Sequence, residues 1–147
     1  MNNDVGDLSR PISGINHITF SVSDLERSIA FYRQVFGATL LLETRGIAHF
    51  NLAGFWLVLN EEPDIPRADT HRSYTHIAFT VAESDIDALA NRLPVLGVEV
   101  MPGRTRDLRE GSSLYVHDPD GHLFEFHAGD RESRLRFHQE PTTDGAG

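Results

Sequence analysis

Cysteine is absent from all 147 residues, which excludes disulfides, zinc–thiolate sites and a cysteine nucleophile. Positive charge is scarce as well: 13 Lys and Arg stand against 22 Asp and Glu, a net charge of −9. Most of the surface therefore repels nucleic acid, and any anion site must be a local cluster of cations. No apolar run approaches the roughly 20 residues of a membrane span. The opening MNNDVGDLSRP lacks the basic and apolar regions of a secretory signal. These absences lead us to expect a soluble cytoplasmic protein with neither a nucleic-acid nor a membrane partner. A composition of 39% hydrophobic and 24% charged residues is that of a globular domain rather than a disordered chain. Histidine is abundant, with eight copies, and its placement is informative.

The chain contains a partial copy of itself. NHITFSVSDLE at 16–26 aligns with THIAFTVAESDI at 75–86, placing His17 and His76 at matching positions 59 residues apart. Both segments alternate with the period of a strand. Ile18, Phe20 and Val22 share one face and His17, Thr19 and Ser21 the other; Ile77, Phe79 and Val81 oppose His76, Ala78 and Thr80. A helix follows each strand. Ser23 with Glu26 reads as a capping box, followed by the stripe Leu25, Ile29, Tyr32 and Phe36 up to Gly37. Ser84 and Asp87 take those parts in the second copy, ahead of Ile86, Leu89, Ala90 and Leu93, with Pro94 shortening or kinking the helix before Gly97. Further strands are expected at 38–44, 47–52 and 55–60, then at 98–101, 113–117 and 123–127. HDPDGH at 117–122 supplies the last hairpin turn. The fold class is thus α+β, built from two βαβββ modules at about 14–60 and 75–129. A polar linker spans 61–74, and loose tails are expected at 1–10 and 139–147. One helix covers one face of each sheet, so apposed modules would enclose a cavity lined by the polar side of each first strand.

Glu125 lies between Phe124 and Phe126 in LFEFH, where a carboxylate needs a cation or a partner. A histidine that merely begins a strand needs no function. Two at equivalent positions, together with an apolar-flanked glutamate, favour a divalent metal held by His17, His76 and Glu125. Aligning WLVLN with LFEFH sets Val58 where Glu125 stands, so only three protein ligands are expected and coordination positions stay open, as in a catalytic site. GRTRDLREGSSLY gathers Arg104, Arg106 and Arg109 beside Gly111, Ser112, Ser113 and Tyr115, a composition suited to phosphate or phosphonate. Arg134 is a further candidate fork. Trp56, on the Val58 face, is expected on the cavity wall. His127 shares the parity of Glu125, His122 belongs to the turn, and His71 and His138 are given no role.

GINHITFSV, FWLVLNEE, YTHIAF and YVHDPDGHLFEFHAG, with REGSSLY and the terminal SRL, resemble the fosfomycin-resistance thiol transferases of the vicinal oxygen chelate, or glyoxalase-like, superfamily. The resemblance covers about residues 12–138, read as one such domain. It implies half-barrels paired across a homodimer, with Mn²⁺ or Mg²⁺ on His17 of one subunit and His76 and Glu125 of the other. It also implies Thr19 near the epoxide oxygen, phosphonate contacts from Arg104, Ser113, Tyr115 and Arg134, and Trp56 lining the pocket. His49 stands where the family commonly has a tyrosine, at a position associated with the thiol. Glu110, Gly111 and Ser113 fit a potassium-binding loop of glutathione-using members, whereas GRTRDLR and NEE look more like the bacillithiol-using branch. The implied reaction opens the epoxide of fosfomycin with a low-molecular-weight thiol. Rival readings are a fosfomycin hydrolase, disfavoured by Ile47 near the place of its extra glutamate, an extradiol-type dioxygenase, a glyoxalase-type isomerase, and a drug-sequestering binding protein.

Overall fold

The computed structural model describes residues 9, 11–101 and 111–139. The chain divides into two compact units, 1–63 and 64–147. Among the described residues no helix is long and apolar enough to cross a membrane.

In the first unit, β1 (His17–Val22), α1 (Leu25–Phe36), β2 (Thr39–Thr44), β3 (Ile47–Leu52) and β4 (Phe55–Glu61) follow in chain order. The sheet runs β1-β4-β3-β2, with β1 parallel to β4 and the other pairs antiparallel. Period-two alternation sends Phe20, Phe50, Leu57 and Leu59 toward α1, where Tyr32 lies 6.4 Å from the rings of both Phe20 and Phe50. Tyr32, Phe50 and Leu59 are wholly buried. The helix starts one residue later than the expected capping box. Asp24 is the N-cap, its Oδ1 accepting from the Arg27 N–H at 2.9 Å, while Ser23 Oγ accepts from the Arg27 guanidinium. An aspartate reaches the N3 amide as well as serine does and adds a negative charge at the positive helix end. Val35 rather than Phe36 completes the fully buried stripe. Gly37 ends the helix at φ 67°, a left-handed conformation that glycine adopts without steric cost.

The second unit contains β5 (His76–Thr80), α2 (Ile86–Val95), β6 (Ser112–His117), β7 (Leu123–Ala128) and α3 (Arg131–Gln139). Its sheet is β5-β7-β6, with β5 parallel and β6 antiparallel to β7. Phe79 stacks on Phe124 at 5.8 Å on the apolar face, and Leu93 of α2 is wholly buried. Here too the cap differs from expectation. A 3₁₀ turn over Glu83–Asp85 precedes the helix, and neither Ser84 nor Asp87 caps it; Asp85 holds the N-cap position without a side-chain bond to the backbone. Pro94 falls in the last turn. The strand expected at 98–101 is reduced, among the described residues, to one bridge between Met101 and Tyr115. The DPDGH turn is tied by Asp118, whose carboxylate accepts from the Asp120 and His122 amides and bonds the His122 ring at 2.8 Å.

The helix α3 was not expected, since its sequence RESRLRFHQ carries no clear apolar stripe. Asp130 holds its start, accepting from the Ser133 amide at 2.7 Å and the Ser133 hydroxyl at 2.8 Å. These bonds from Ser133, the backbone one foremost, lower the Asp130 pKa below its ordinary 3.8. A carboxylate depressed in this way stabilises the fold above its unfolded pKa, and the contribution disappears as pH falls through the lower folded value. We expect α3 to fray in that acidic window while β7 stays intact, measurable as faster amide exchange at Ser133, and D130N to show the frayed behaviour already at neutral pH.

Candidate metal centre

The polar face of the second sheet carries His76 and Thr80 on β5, Glu125 and His127 on β7, and Ser113, Tyr115 and His117 on β6. Register fixes the neighbours: Ala78 lies opposite Glu125, which in turn lies opposite Tyr115, and Ser113 lies opposite His127. Glu125 is 2% exposed. Its Oε2 sits 3.1 Å from His76 Nε2, and its Oε1 accepts a 2.6 Å hydrogen bond from Ser113 Oγ.

The tautomer of His76 follows from its other nitrogen. Nδ1 lies 2.8 Å from the Tyr74 carbonyl oxygen, which can only accept, so Nδ1 carries the proton. In the neutral ring, Nε2 then presents a lone pair toward a carboxylate oxygen. That approach is repulsive unless a proton or a cation lies between the two atoms. An imidazole anchored through Nδ1–H and a carboxylate anchored through one oxygen, their remaining donor atoms converging, make the outer-shell arrangement of metal ligands. The donor set fits a divalent ion.

The first unit supplies a similar imidazole. His17 Nδ1 is 2.7 Å from Asn16 Oδ1, which leaves Nε2 as the atom available for ligation. Trp56 lies opposite His17 in the β1–β4 register, with ring centroids 4.9 Å apart, and is 45% exposed. Its indole N–H donates to His49 Nδ1 at 3.1 Å, so neutral His49 carries its proton on Nε2 and offers a donor there. Thr19, Val58 and His49 form one cross-strand row. Among the described residues, no three His, Asp or Glu side chains are gathered into one ligand set.

The remaining candidates fall as follows. Tyr115 Oη is 3.1 Å from Tyr74 Oη, and the Tyr115 ring is 5.8 Å from that of His76. Arg134 is half-buried on α3. Arg104 and Glu110 lie outside the described residues. Gly111 has φ 81°, and a Cβ there would collide with the Ala128 carbonyl. Sequence reasoning gave no role to Tyr74, His71 or His117, which with Met101, Tyr115 and Leu123 line a cavity of about 260 Å³. The available signals were the parity His117 shares with Tyr115 and the position of Tyr74 two residues before His76.

Residues 14–126 match the family model of the Glyoxalase/Bleomycin resistance protein/Dioxygenase superfamily. The chain is 51% identical to the metallothiol transferase FosB of Lysinibacillus sphaericus over 88% of its own length and 92% of that protein's. It belongs to this superfamily and, within it, to the metallothiol transferases. FosB of Staphylococcus haemolyticus is 49% identical over 88% of this chain and 93% of that protein. The fosfomycin resistance protein FosX of Listeria monocytogenes, crystallised with Mn(II) and sulfate, superposes with a TM-score of 0.76 at 37% identity, covering 87% of this chain and 99% of that one.

Gly111→Ala forces both a left-handed backbone and a collision with Ala128, on the strand that carries Glu125. We expect a loss of about 2–4 kcal/mol of stability, read from urea unfolding of the purified protein.

Proposed function

We propose that the protein inactivates fosfomycin by adding a low-molecular-weight thiol to its epoxide, in a homodimer whose metal site takes His17 from one subunit and His76 and Glu125 from the other. The observation that carries this reading is the convergence of His76 Nε2 and Glu125 Oε2 at 3.1 Å in a metallothiol transferase sequence. A bound Mn²⁺ or Mg²⁺ supplies Lewis acidity to the epoxide oxygen.

The protein's own groups hold and align the substrate. Ser113, Tyr115, Arg104 and Arg134 hold the phosphonate, the guanidinium groups through paired N–H donors, and thereby present the epoxide carbon to back-side attack. Thr19, exposed on β1, hydrogen-bonds the opening oxygen. Trp56 walls the pocket. His49 faces the thiol and offers it an Nε2–H donor, fixed by the Trp56 bond. Since the chain has no cysteine, the sulfur arrives with the cosubstrate. Glu110 and Gly111, with Ser113 at the start of β6, supply oxygens suited to K⁺.

A glutamate-to-glutamine mutant of FosX of Listeria monocytogenes has also been crystallised with Mn(II) and 1S,2S-dihydroxypropylphosphonic acid, a diol in which water has taken the place of the thiol. Here Ile47 occupies β3 opposite Asn60, and an isoleucine cannot take a proton from water. Thiol addition is therefore the favoured reaction. Incubating the protein, Mn²⁺ or Mg²⁺ and fosfomycin separately with glutathione, bacillithiol, mycothiol, cysteine or water alone, and following phosphorus NMR, tests this directly. We expect a new phosphonate signal in a thiol arm and unchanged fosfomycin in water; conversion in water alone would make the protein a hydrolase, and recovery of intact drug in every arm would make it a sequestering protein. Glu125→Gln and His76→Ala should each abolish the adduct while leaving a folded protein by circular dichroism.

A further inference from the structure

The polar segment ahead of β5 is seated on the hairpin turn between β6 and β7. Arg67 Nε lies 3.8 Å from Asp120 Oδ1, the Asp120 side chain being 1% and the Arg67 side chain 18% exposed. Four residues further on, the backbone rests against the same turn. A Cβ on Gly121 would stand 3.0 Å from the His71 amide nitrogen and 3.2 Å from the His71 Cβ, closer than such carbons normally pack. The His71 ring also meets His117 of β6 edge-on, with centroids 6.4 Å apart. The segment is thus held at Arg67 and again at His71.

Both sides of this contact are internally braced. In the turn, the Asp118 carboxylate accepts from the amides of Asp120 and His122, and the Asp118 amide donates to the His122 carbonyl at 3.0 Å. In the segment, the Thr70 amide donates to the Arg67 carbonyl at 3.2 Å, that of Arg72 to Asp69 at 3.0 Å, and that of Ser73 to Thr70 at 3.3 Å. The Thr75 amide donates to Ser73 Oγ at 3.1 Å. These local bonds leave little slack between Arg67 and Tyr74, whose carbonyl accepts from His76 Nδ1–H at 2.8 Å. The turn leads as directly to Glu125. β7 leaves it at Leu123, which lies opposite His76, and Glu125 follows two residues later.

We propose that Arg67 and Asp120 are positioning residues of the metal centre: their ion pair seats segment 67–75 on the hairpin turn and thereby sets His76 against Glu125. The inference rests on the reading of His76 and Glu125 as metal ligands. A carboxylate buried as deeply as that of Asp120 needs positive charge beside it, and Arg67 supplies it from the segment rather than from the turn. Removing either partner frees the segment at its far end, and the Tyr74 carbonyl moves off Nδ1. The ring of His76 then loses the bond that fixes its orientation and keeps a lone pair on Nε2.

The test reads the metal-free protein and Mn²⁺ binding separately. In the metal-free wild type, the His76 Nδ1 proton, its exchange slowed by the carbonyl bond, gives a downfield imidazole signal in proton NMR, identified by its absence from His76→Ala. Arg67→Gln and Asp120→Asn should each broaden or remove that signal and raise the Kd for Mn²⁺, measured by electron paramagnetic resonance, about 10-fold. Because the two variants break one contact from its two ends, the double variant should also lose about 10-fold, not the roughly 100-fold of independent effects. Should Asp120→Asn not fold, Arg67→Gln, at the partly exposed end of the pair, carries the test. A lowered urea midpoint in Arg67→Gln, with the His76 signal and Mn²⁺ affinity unchanged, would make the pair a stability element alone and overturn the inference, as would additive losses in the double variant. A wild-type protein that takes up no Mn²⁺ overturns the metal reading, whereas the His76 signal, read without metal, still decides whether the pair positions the ring.

Discussion

A carboxylate buried to 2% exposure inside a β-sheet is the constraint on which the second unit is built. Desolvating an isolated carboxylate costs several kcal/mol, so the surroundings must return hydrogen bonds and positive charge. Glu125 receives them in a divided manner. One oxygen is satisfied by a neutral hydroxyl, and the other faces an imidazole nitrogen whose proton has been drawn to the far side of the ring by the Tyr74 carbonyl. The protein satisfies one half of the charge and directs the other half at the place a cation would occupy.

Much of this was legible in the sequence because β-strand parity is strict. Once His17 and His76 are aligned, alternation alone assigns Thr19, Glu125, His127, Ser113 and Tyr115 to polar faces, and one glutamate between two phenylalanines announces a carboxylate needing a partner. Helix starts were less legible. Ser23 and Asp24 are both competent caps, and which one leaves the β region is settled by the backbone of the preceding strand, not by side-chain chemistry. The polar sequence of α3 hid a helix whose start is held by Asp130 and Ser133 rather than announced by an apolar stripe. The strand at 98–101 failed for the opposite reason: its alternation is real, but a strand also needs a partner over several rungs, and among the described residues Met101 makes one bridge, to Tyr115.

Bonds made through the backbone were invisible beforehand. Tyr74 fixes the tautomer of His76 with its carbonyl oxygen, which every residue possesses, so no residue type signals the role. The indole bond to His49 is a different case. A tryptophan and a histidine on one strand face are apparent from parity, but which nitrogen of the imidazole accepts depends on rotamers. That choice decides what the ring can offer: with Nδ1 engaged by an N–H donor, the neutral ring presents a donor at Nε2, whereas a tyrosine hydroxyl can give or receive.

The two sheets share one register, and their differences are correlated. Thr19 lies opposite Val58 as Ala78 lies opposite Glu125; Val58 in turn faces His49, as Glu125 faces Tyr115; Asn60 faces Ile47, as His127 faces Ser113. At the positions of the carboxylate and the serine, the first sheet has valine and isoleucine. These two substitutions belong together physically. A buried carboxylate without the serine would lose the bond that satisfies Oε1, and a serine beside valine would have no anion to receive its proton. Each sheet is thus self-consistent, one satisfied by apolar contact and the other by hydrogen bonds among Glu125, Ser113 and His127. The repeat that gives both units a histidine at the start of the first strand therefore does not give both a buried carboxylate. A histidine at the head of a strand can be kept or repeated alone, because its support is local: a neighbouring asparagine for His17, a carbonyl two residues away for His76. A buried glutamate requires the neighbouring strand to change with it.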